Sequence, residues 1–151
     1  MSLRLYLDTS VFGGVWDKEF HKSSLTLFNQ IKNGKFDLVV SEVVQEEISD
    51  APLKVQRFFN EFLPDAELIQ VSEDALRLQS AYLHAQVVSL SYMTDALHVT
   101  LATVSDCSAI VSWNFKHIVH FQKIPLYNAV NLTNGYGQIA INSPQEVILY
   151  D

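Results

Sequence analysis

Cysteine, glycine and proline are scarce in this sequence of 151 residues, and their scarcity excludes several kinds of protein. The single cysteine, Cys107, cannot form an internal disulfide or a cysteine-based zinc site. Five glycines and four prolines, spread thinly, leave no flexible linker and no low-complexity tract. These absences predict a single domain over residues 1–151, folded in a reducing compartment.

Long hydrophobic runs are also absent. No apolar run approaches the ~20 residues that a membrane-spanning helix needs. The first eight residues lack the apolar region and the small-residue cleavage site of a signal peptide. We therefore expect a cytoplasmic protein that has no membrane partner. The hydrophobic fraction of 48% is nevertheless sufficient for a real core and excludes a disordered chain.

Basic residues are few, since 10 Lys and Arg stand against 17 Asp and Glu, for a net charge of −7. This balance excludes a general nucleic-acid coat, which needs a basic surface to displace counterions. The acidic excess lies mainly in residues 1–75, which hold 7 basic and 13 acidic residues. Either a solvated acidic surface or carboxylates gathered around divalent metal ions would explain it, and composition does not choose between them.

Short apolar segments alternate with longer segments of helical periodicity, which predicts a three-layer α/β/α sandwich with a central, mainly parallel sheet. Strands are predicted at 3–7, 36–40, 68–71 and 109–111, with a weaker candidate around 126–127. Helices are predicted at 20–32, 42–50, 53–63, 73–84, 94–104 and 114–121. The core is expected to span about 3–126. In the tail, 127–151, a turn at 135–137 and a short edge strand at 139–141 are expected.

Ligand sites in parallel sheets form at the carboxyl ends of the strands, so polar residues that directly follow strands are candidates. The first strand is followed by Asp8, Thr9 and Ser10, the second by Ser41 and Glu42, and the fourth by Ser112, Trp113 and Asn114. Asp8 is either a metal ligand or the N-cap of a helical turn, and both remain open. Asn114 is likewise an N-cap or a neutral metal ligand.

The helix predicted at 42–50 carries the most informative carboxylate. Glu42, Glu46 and Asp50 form one acidic row, which is most simply a solvated face. Glu47 instead interrupts the apolar side of the helix, and no basic residue of the same helix can pair with it. Because an unpaired buried carboxylate is costly, Glu47 is favoured over Glu46 as a ligand.

The helix at 94–104 begins with Asp95, and an acidic residue in a first turn is also what the helix dipole favours. His98 lies one turn further and is expected to support the site rather than to react. Trp113, Phe115 and Lys116 form an aromatic and basic segment that would stack a base and contact a phosphate. Core packing is the alternative for both aromatic residues, more so for Phe115.

Three segments together resemble the PIN domain family, and most closely its VapC-type toxins of bacterial toxin–antitoxin pairs. They are Leu7-Asp8-Thr9-Ser10-Val11-Phe12, the segment from Ser41 to Ile48, and the region from Thr94-Asp95 to Asn114-Phe115. The resemblance covers about residues 3–126. It implies a ribonuclease with Asp8, Glu47 and Asp95 as catalytic acids that also bind Mg²⁺ or Mn²⁺.

The resemblance further implies an RNA substrate, an antitoxin partner and a homodimer. Thr9, Ser10, His98, Ser112, Trp113 and Lys116 would support the site or the substrate, and Asn114 would complete the metal ligands. PIN nucleases often carry a fourth acid where this sequence has Asn114. An amide oxygen brings no charge, so a second metal would bind less firmly, or only one would be used.

Two other functions are compatible with the same residues. A catalytically weak or silent PIN-like module that only binds protein or RNA is suggested by Asn114. An aspartyl-nucleophile hydrolase that uses Asp8 is less favoured, because the dehalogenase-type motif expects a second Asp where Ser10 stands.

Overall fold

In the computed structural model, which describes residues 2–150, five parallel strands form one central sheet flanked by helices. The spatial order of the strands is β3-β2-β1-β4-β5. The predicted α/β sandwich is confirmed. The strands are β1 (Leu3–Leu7), β2 (Phe36–Ser41), β3 (Glu67–Ile69), β4 (Ala109–Val111) and β5 (Ala140–Asn142).

Eight α-helices lie within residues 2–150, and several begin at serine caps. Ser41 accepts a hydrogen bond from the backbone of Val44, and Ser72 accepts one from Ala75, so each satisfies an otherwise free N–H. None of the helices in this part of the chain is long and apolar enough to cross a membrane. The helices are α1 (Thr9–Gly14), α2 (His21–Lys32), α3 (Glu42–Ser49), α4 (Leu53–Phe62), α5 (Glu73–His84), α6 (Met93–Val104), α7 (Ile124–Thr133) and α8 (Pro144–Val147).

Two sequence predictions after β4 are wrong. The helix predicted at 114–121 is a series of turns, in which the backbone N–H groups of Ile118 and Val119 both donate to the carbonyl of Asn114. The strand predicted around 126–127 lies instead in α7. Pro125 sits in the first turn of that helix, where its fixed φ and missing N–H are tolerated.

The segment after residue 126 is part of the same hydrophobic core and is not a separate tail. Tyr127 and Asn131 of α7 are fully buried, and β5 pairs in parallel with β4 at the edge of the sheet. The short edge strand predicted at 139–141 is thus confirmed, one residue further along the chain.

The path of the chain through the sheet creates a crevice at the carboxyl ends of β1 and β4. From β1 the chain moves outward through β2 and β3, and then crosses back to place β4 and β5 on the other side. Helices therefore leave β1 and β4 toward opposite faces, the arrangement in which open parallel sheets hold ligands. The backbone N–H of Asp8 donates to the carbonyl of Val111 at 3.2 Å, which fixes the register at this point.

Helix α1 approaches the loop after β4 closely at Gly14. The indole of Trp113 stacks on Phe20 with ring centroids 4.1 Å apart, and its Nε1 donates to Ser24 Oγ at 2.8 Å. A Cβ atom at Gly14 would lie 2.7 Å from Ser24 Oγ and 2.8 Å from Trp113 Nε1. Only glycine fits without displacing this hydrogen bond.

We expect Gly14→Ala to destabilise the protein by about 1–3 kcal/mol, the usual cost of overpacking. Urea unfolding followed by tryptophan fluorescence measures the effect. Gly13→Ala in the same helix is the matched control, because a Cβ there meets nothing within 4 Å. The control should be neutral or slightly stabilising, since alanine is the better helix former. Equal stability of the two variants would contradict the packing argument.

Candidate active site

Asp8 lies in the crevice between β1 and β4 with only 4% of its surface exposed. Its Oδ1 accepts a hydrogen bond from Ser10 Oγ at 2.6 Å, and its Oδ2 accepts one from Ser112 Oγ at 2.7 Å. Although Asp8 precedes α1, its side chain makes no capping hydrogen bond. The geometry therefore does not support the N-cap interpretation of its carboxylate.

Burial raises the pKa of Asp8 above its ordinary value, although the electrostatic interaction with His98 and the hydrogen bonds from Ser10 and Ser112 oppose this. The negative charge of Glu47 raises it further. No ion pair involves Asp8 within residues 2–150. The buried carboxylate is thus stabilised by hydroxyl dipoles and has no paired cation.

Glu47 of α3 faces the same crevice and is half-buried, whereas its neighbour Glu46 is exposed. Its Oε1 accepts hydrogen bonds from Thr9 Oγ1 at 2.6 Å and from His98 Nε2 at 2.8 Å. Partial burial raises the pKa of Glu47, but the hydrogen bond from His98, the electrostatic interaction with His98 and the hydrogen bond from Thr9 outweigh it, so the net pKa is lowered. Glu47 is accordingly held as a carboxylate.

Sequence reasoning missed Tyr6 behind Glu47 and singled out its partner Ser41 only as a polar residue that follows a strand. The hydroxyl of Tyr6 lies 2.7 Å from His98 Nδ1 and 2.7 Å from Ser41 Oγ, and both Tyr6 and Ser41 are fully buried. Burial raises the pKa of Tyr6 well above its ordinary value, so its hydroxyl keeps its proton. The available signal was a tyrosine two residues before Asp8, on the same face of β1, whose hydroxyl needs a partner.

Asp95 lies in the first turn of α6 and is half-buried. It is three residues before His98, so both lie on the same side of α6. Burial lowers the pKa of His117, and the nearby charge of Asp95 opposes that shift. Among residues 2–150, no group of three or more His, Cys, Asp or Glu side chains is arranged to hold a metal ion. The structure thus brings Asp8 and Glu47 together but does not close a three-acid cluster with Asp95.

Asn114 follows Ser112 and also belongs to the crevice. Its backbone N–H donates to Ser112 Oγ at 2.9 Å, and its Oδ1 accepts from the backbone of His117 at 2.9 Å. The amide oxygen therefore caps the turn after β4. One lone pair of that oxygen remains, so the cap and ligand interpretations do not exclude each other.

Comparison with known proteins identifies the family. The profile described as PIN domain matches residues 4–116, a span that contains Asp8, Glu47, Asp95 and Asn114. The chain belongs to the PIN domain family. No curated protein matches the sequence.

Two solved structures resemble this PIN domain in fold. One is VapBC2 from Rickettsia felis, which was solved bound to a DNA fragment from its promoter. A chain of that structure aligns with a TM-score of 0.60 and 20% sequence identity, and the alignment covers 93% of this chain and 98% of that chain. A chain of a toxin–antitoxin complex from Klebsiella pneumoniae aligns with a TM-score of 0.57 and 12% identity, over 79% and 93% of the two chains. At these identities the likeness establishes a shared fold.

The aromatic segment of this PIN domain is arranged differently from the expectation. Trp113 is 7% exposed and covered by Phe20, so it is a core residue and cannot stack a base. Phe115, expected to be the more deeply packed of the two, is 44% exposed. Lys116 is exposed, with its Nζ 6.0 Å from the centre of the Tyr92 ring, and remains available to a phosphate.

We expect Asp8→Asn to be more stable than the unaltered protein at pH 7 in the presence of EDTA. The folded state binds the Asp8 proton more tightly than the unfolded chain, so the free energy of unfolding falls as pH rises through the raised pKa. Asparagine does not titrate and avoids this loss. The advantage of Asp8→Asn should therefore shrink between pH 7 and pH 4, near the ordinary Asp pKa of about 3.9. Urea unfolding at both pH values measures it, and a constant difference would contradict the assignment.

Proposed function

We propose that this PIN domain is an endoribonuclease that depends on a divalent metal and acts as the toxin of a toxin–antitoxin pair. The observation that carries the proposal is the buried Asp8 carboxylate in the crevice, which has no cationic partner within residues 2–150. A buried anion without a counter-charge is costly, so this position favours a cation.

The donor atoms at the crevice fit Mg²⁺ or Mn²⁺. Carboxylate and amide oxygens are the ligands that these hard cations prefer, and thiolate or a cluster of imidazoles is absent from the described crevice. Mg²⁺ is commonly bound through one or two carboxylates together with substrate phosphates, so Asp8 and Glu47 suffice as its primary ligands. Asp95 and Asn114 are the proposed further ligands.

When bound, the metal would lower the pKa of a water molecule and neutralise charge on the phosphodiester. The residues of the chain supply the geometry. Ser10 and Ser112 fix both oxygens of Asp8, and Thr9 and His98 fix one oxygen of Glu47, which leaves the Glu47 Oε2 without a hydrogen bond among the described contacts. Such preorganised oxygens bind a cation without first having to reorient.

The proposal also includes an RNA substrate, an antitoxin partner and a homodimer, each of which the family resemblance implies. The two structural neighbours are a VapBC2 assembly and a toxin–antitoxin complex. The exposed Lys116 near the crevice is the proposed phosphate contact, and we propose a cytoplasmic location. The large acidic excess predicts weak non-specific binding of RNA.

We expect Asp8→Asn, Glu47→Gln and Asp95→Asn each to lower Mn²⁺-dependent cleavage of a single-stranded RNA at least about 100-fold, because changes outside the ligand shell alone cost about 10–100-fold. Cleavage rates on a labelled RNA, with Mn²⁺ and with EDTA, provide the measurement. Glu46→Gln is the matched control, since Glu46 is exposed on the same helix. Loss of activity in the control would show that the wrong glutamate was assigned.

The toxin assignment predicts that induced expression of the unaltered chain arrests bacterial growth, whereas Asp8→Asn does not. Co-expression of a short reading frame found next to the coding region should relieve the arrest. Growth curves and viable counts after induction measure both effects. Normal growth of cells that contain the soluble, folded protein would argue against a toxin. The nuclease assignment would then still be tested by the cleavage assay.

A binding module without catalysis is the second candidate. It is favoured by Asn114, whose amide oxygen is already engaged by His117, and by the lack of a closed three-acid cluster among residues 2–150. RNA binding without metal-dependent cleavage in the same assay would favour this function over the nuclease.

A further inference from the structure

A ring of hydrogen bonds runs through the core behind Glu47 and returns to the helix where it starts. The backbone N–H of Val44 in α3 contacts Ser41 Oγ at 3.2 Å, and Ser41 Oγ lies 2.7 Å from the hydroxyl of Tyr6. That hydroxyl lies 2.7 Å from His98 Nδ1, and His98 Nε2 lies 2.8 Å from Glu47 Oε1, again in α3. The ring thus joins β1, β2, α3 and α6.

The two ends of this ring restrict the direction of the bonds in it. A backbone N–H can only donate, and an ionised carboxylate can only accept. Each buried hydroxyl proton of the ring has an acceptor within it only if Ser41 donates to Tyr6 and Tyr6 donates to His98 Nδ1. The remaining ring proton of His98 is then on Nε2, where it donates to Glu47.

Burial makes the alternative proton arrangement costly. Tyr6 and Ser41 are fully buried, and His98 is 3% exposed, so water does not replace a lost partner. If Nδ1 carried the proton, it would donate to the Tyr6 hydroxyl, and one of the two hydroxyl protons, that of Tyr6 or that of Ser41, would have no acceptor among these contacts. Buried polar groups without partners are strongly disfavoured, so one tautomer of His98 is selected.

We propose that Tyr6 is a positioning residue of the metal site, because it sets the tautomer of His98 and through it the direction of the Glu47 carboxylate. This inference rests on the proposed metal-dependent function. Tyr6 itself lies behind His98 and does not contact Glu47 among the described hydrogen bonds. Thr9 also holds Glu47 Oε1, so loss of the Tyr6 hydroxyl loosens the carboxylate without releasing it.

The test is Tyr6→Phe, which keeps the buried ring and removes only the hydroxyl. Its matched control is Tyr82→Phe, because Tyr82 is equally buried but its hydroxyl donates to Asn131 of α7, away from the site. Mn²⁺ affinity is measured by electron paramagnetic resonance. We expect about tenfold weaker binding in Tyr6→Phe, at the lower end of the 10–100-fold range for supporting residues, and no change in Tyr82→Phe.

Two further measurements separate positioning from general destabilisation. On a His98→Gln background, Tyr6→Phe should cause no additional loss of Mn²⁺ affinity, because both changes break the same chain of contacts. The ¹⁵N shifts of labelled histidines should show His98 as the Nε2–H tautomer in the unaltered protein and change in Tyr6→Phe. His98→Gln assigns the signal among the five histidines.

Equal losses in Tyr6→Phe and Tyr82→Phe, or an additive loss on the His98→Gln background, would overturn the inference. Unchanged ¹⁵N shifts in Tyr6→Phe with intact Mn²⁺ binding would also overturn it and leave the proposed function standing. Failure of the unaltered protein to bind Mn²⁺ would overturn the metal-dependent function itself, and with it the part assigned to Tyr6 at the metal.

Discussion

The site of this PIN domain depends on one buried carboxylate placed where the two halves of the sheet meet. Asp8 is at the end of the central strand, and its neighbours across the crevice come from a segment more than a hundred residues later. The desolvation free energy of such a buried charge exceeds the stabilisation that hydrogen bonds from two hydroxyl groups provide, so the arrangement destabilises the free protein. A carboxylate kept at this position therefore lowers the stability of the fold.

The two carboxylates of the crevice are placed in contrasting environments. Asp8 is enclosed and its pKa is raised by burial, whereas the pKa of Glu47 is lowered, because His98 and Thr9 outweigh its partial burial. A cation between them would stabilise the charged form of both and remove the penalty at Asp8. Divergent pKa values of neighbouring acids are typical of functional sites.

The support of the site comes from the core rather than from the surface. Tyr6, Ser41 and His98 are buried, and each belongs to a different element of the fold. A substitution that leaves the acidic residues intact but disturbs this packing would therefore alter the geometry of the site. Helix α3 contributes both Glu47 and the backbone N–H that begins the ring of hydrogen bonds. The position of the carboxylate therefore depends on residues of β1, β2 and α6 as well as on its own helix.

The sequence by itself determined the layered α/β fold, the bounds of elements such as Glu73–His84 and Ala109–Val111, and the choice of Glu47 over Glu46 as the crevice residue of α3. These follow from periodicity, which is local: the alternation along a strand or the faces of one helix can be read from neighbouring residues. The burial of Trp113, the turns at 114–121 and the partners of Glu47 were decided only by tertiary structure. Their causes are contacts between residues far apart in the chain, such as Trp113 with Phe20 and Glu47 with His98, and no local pattern encodes such pairings.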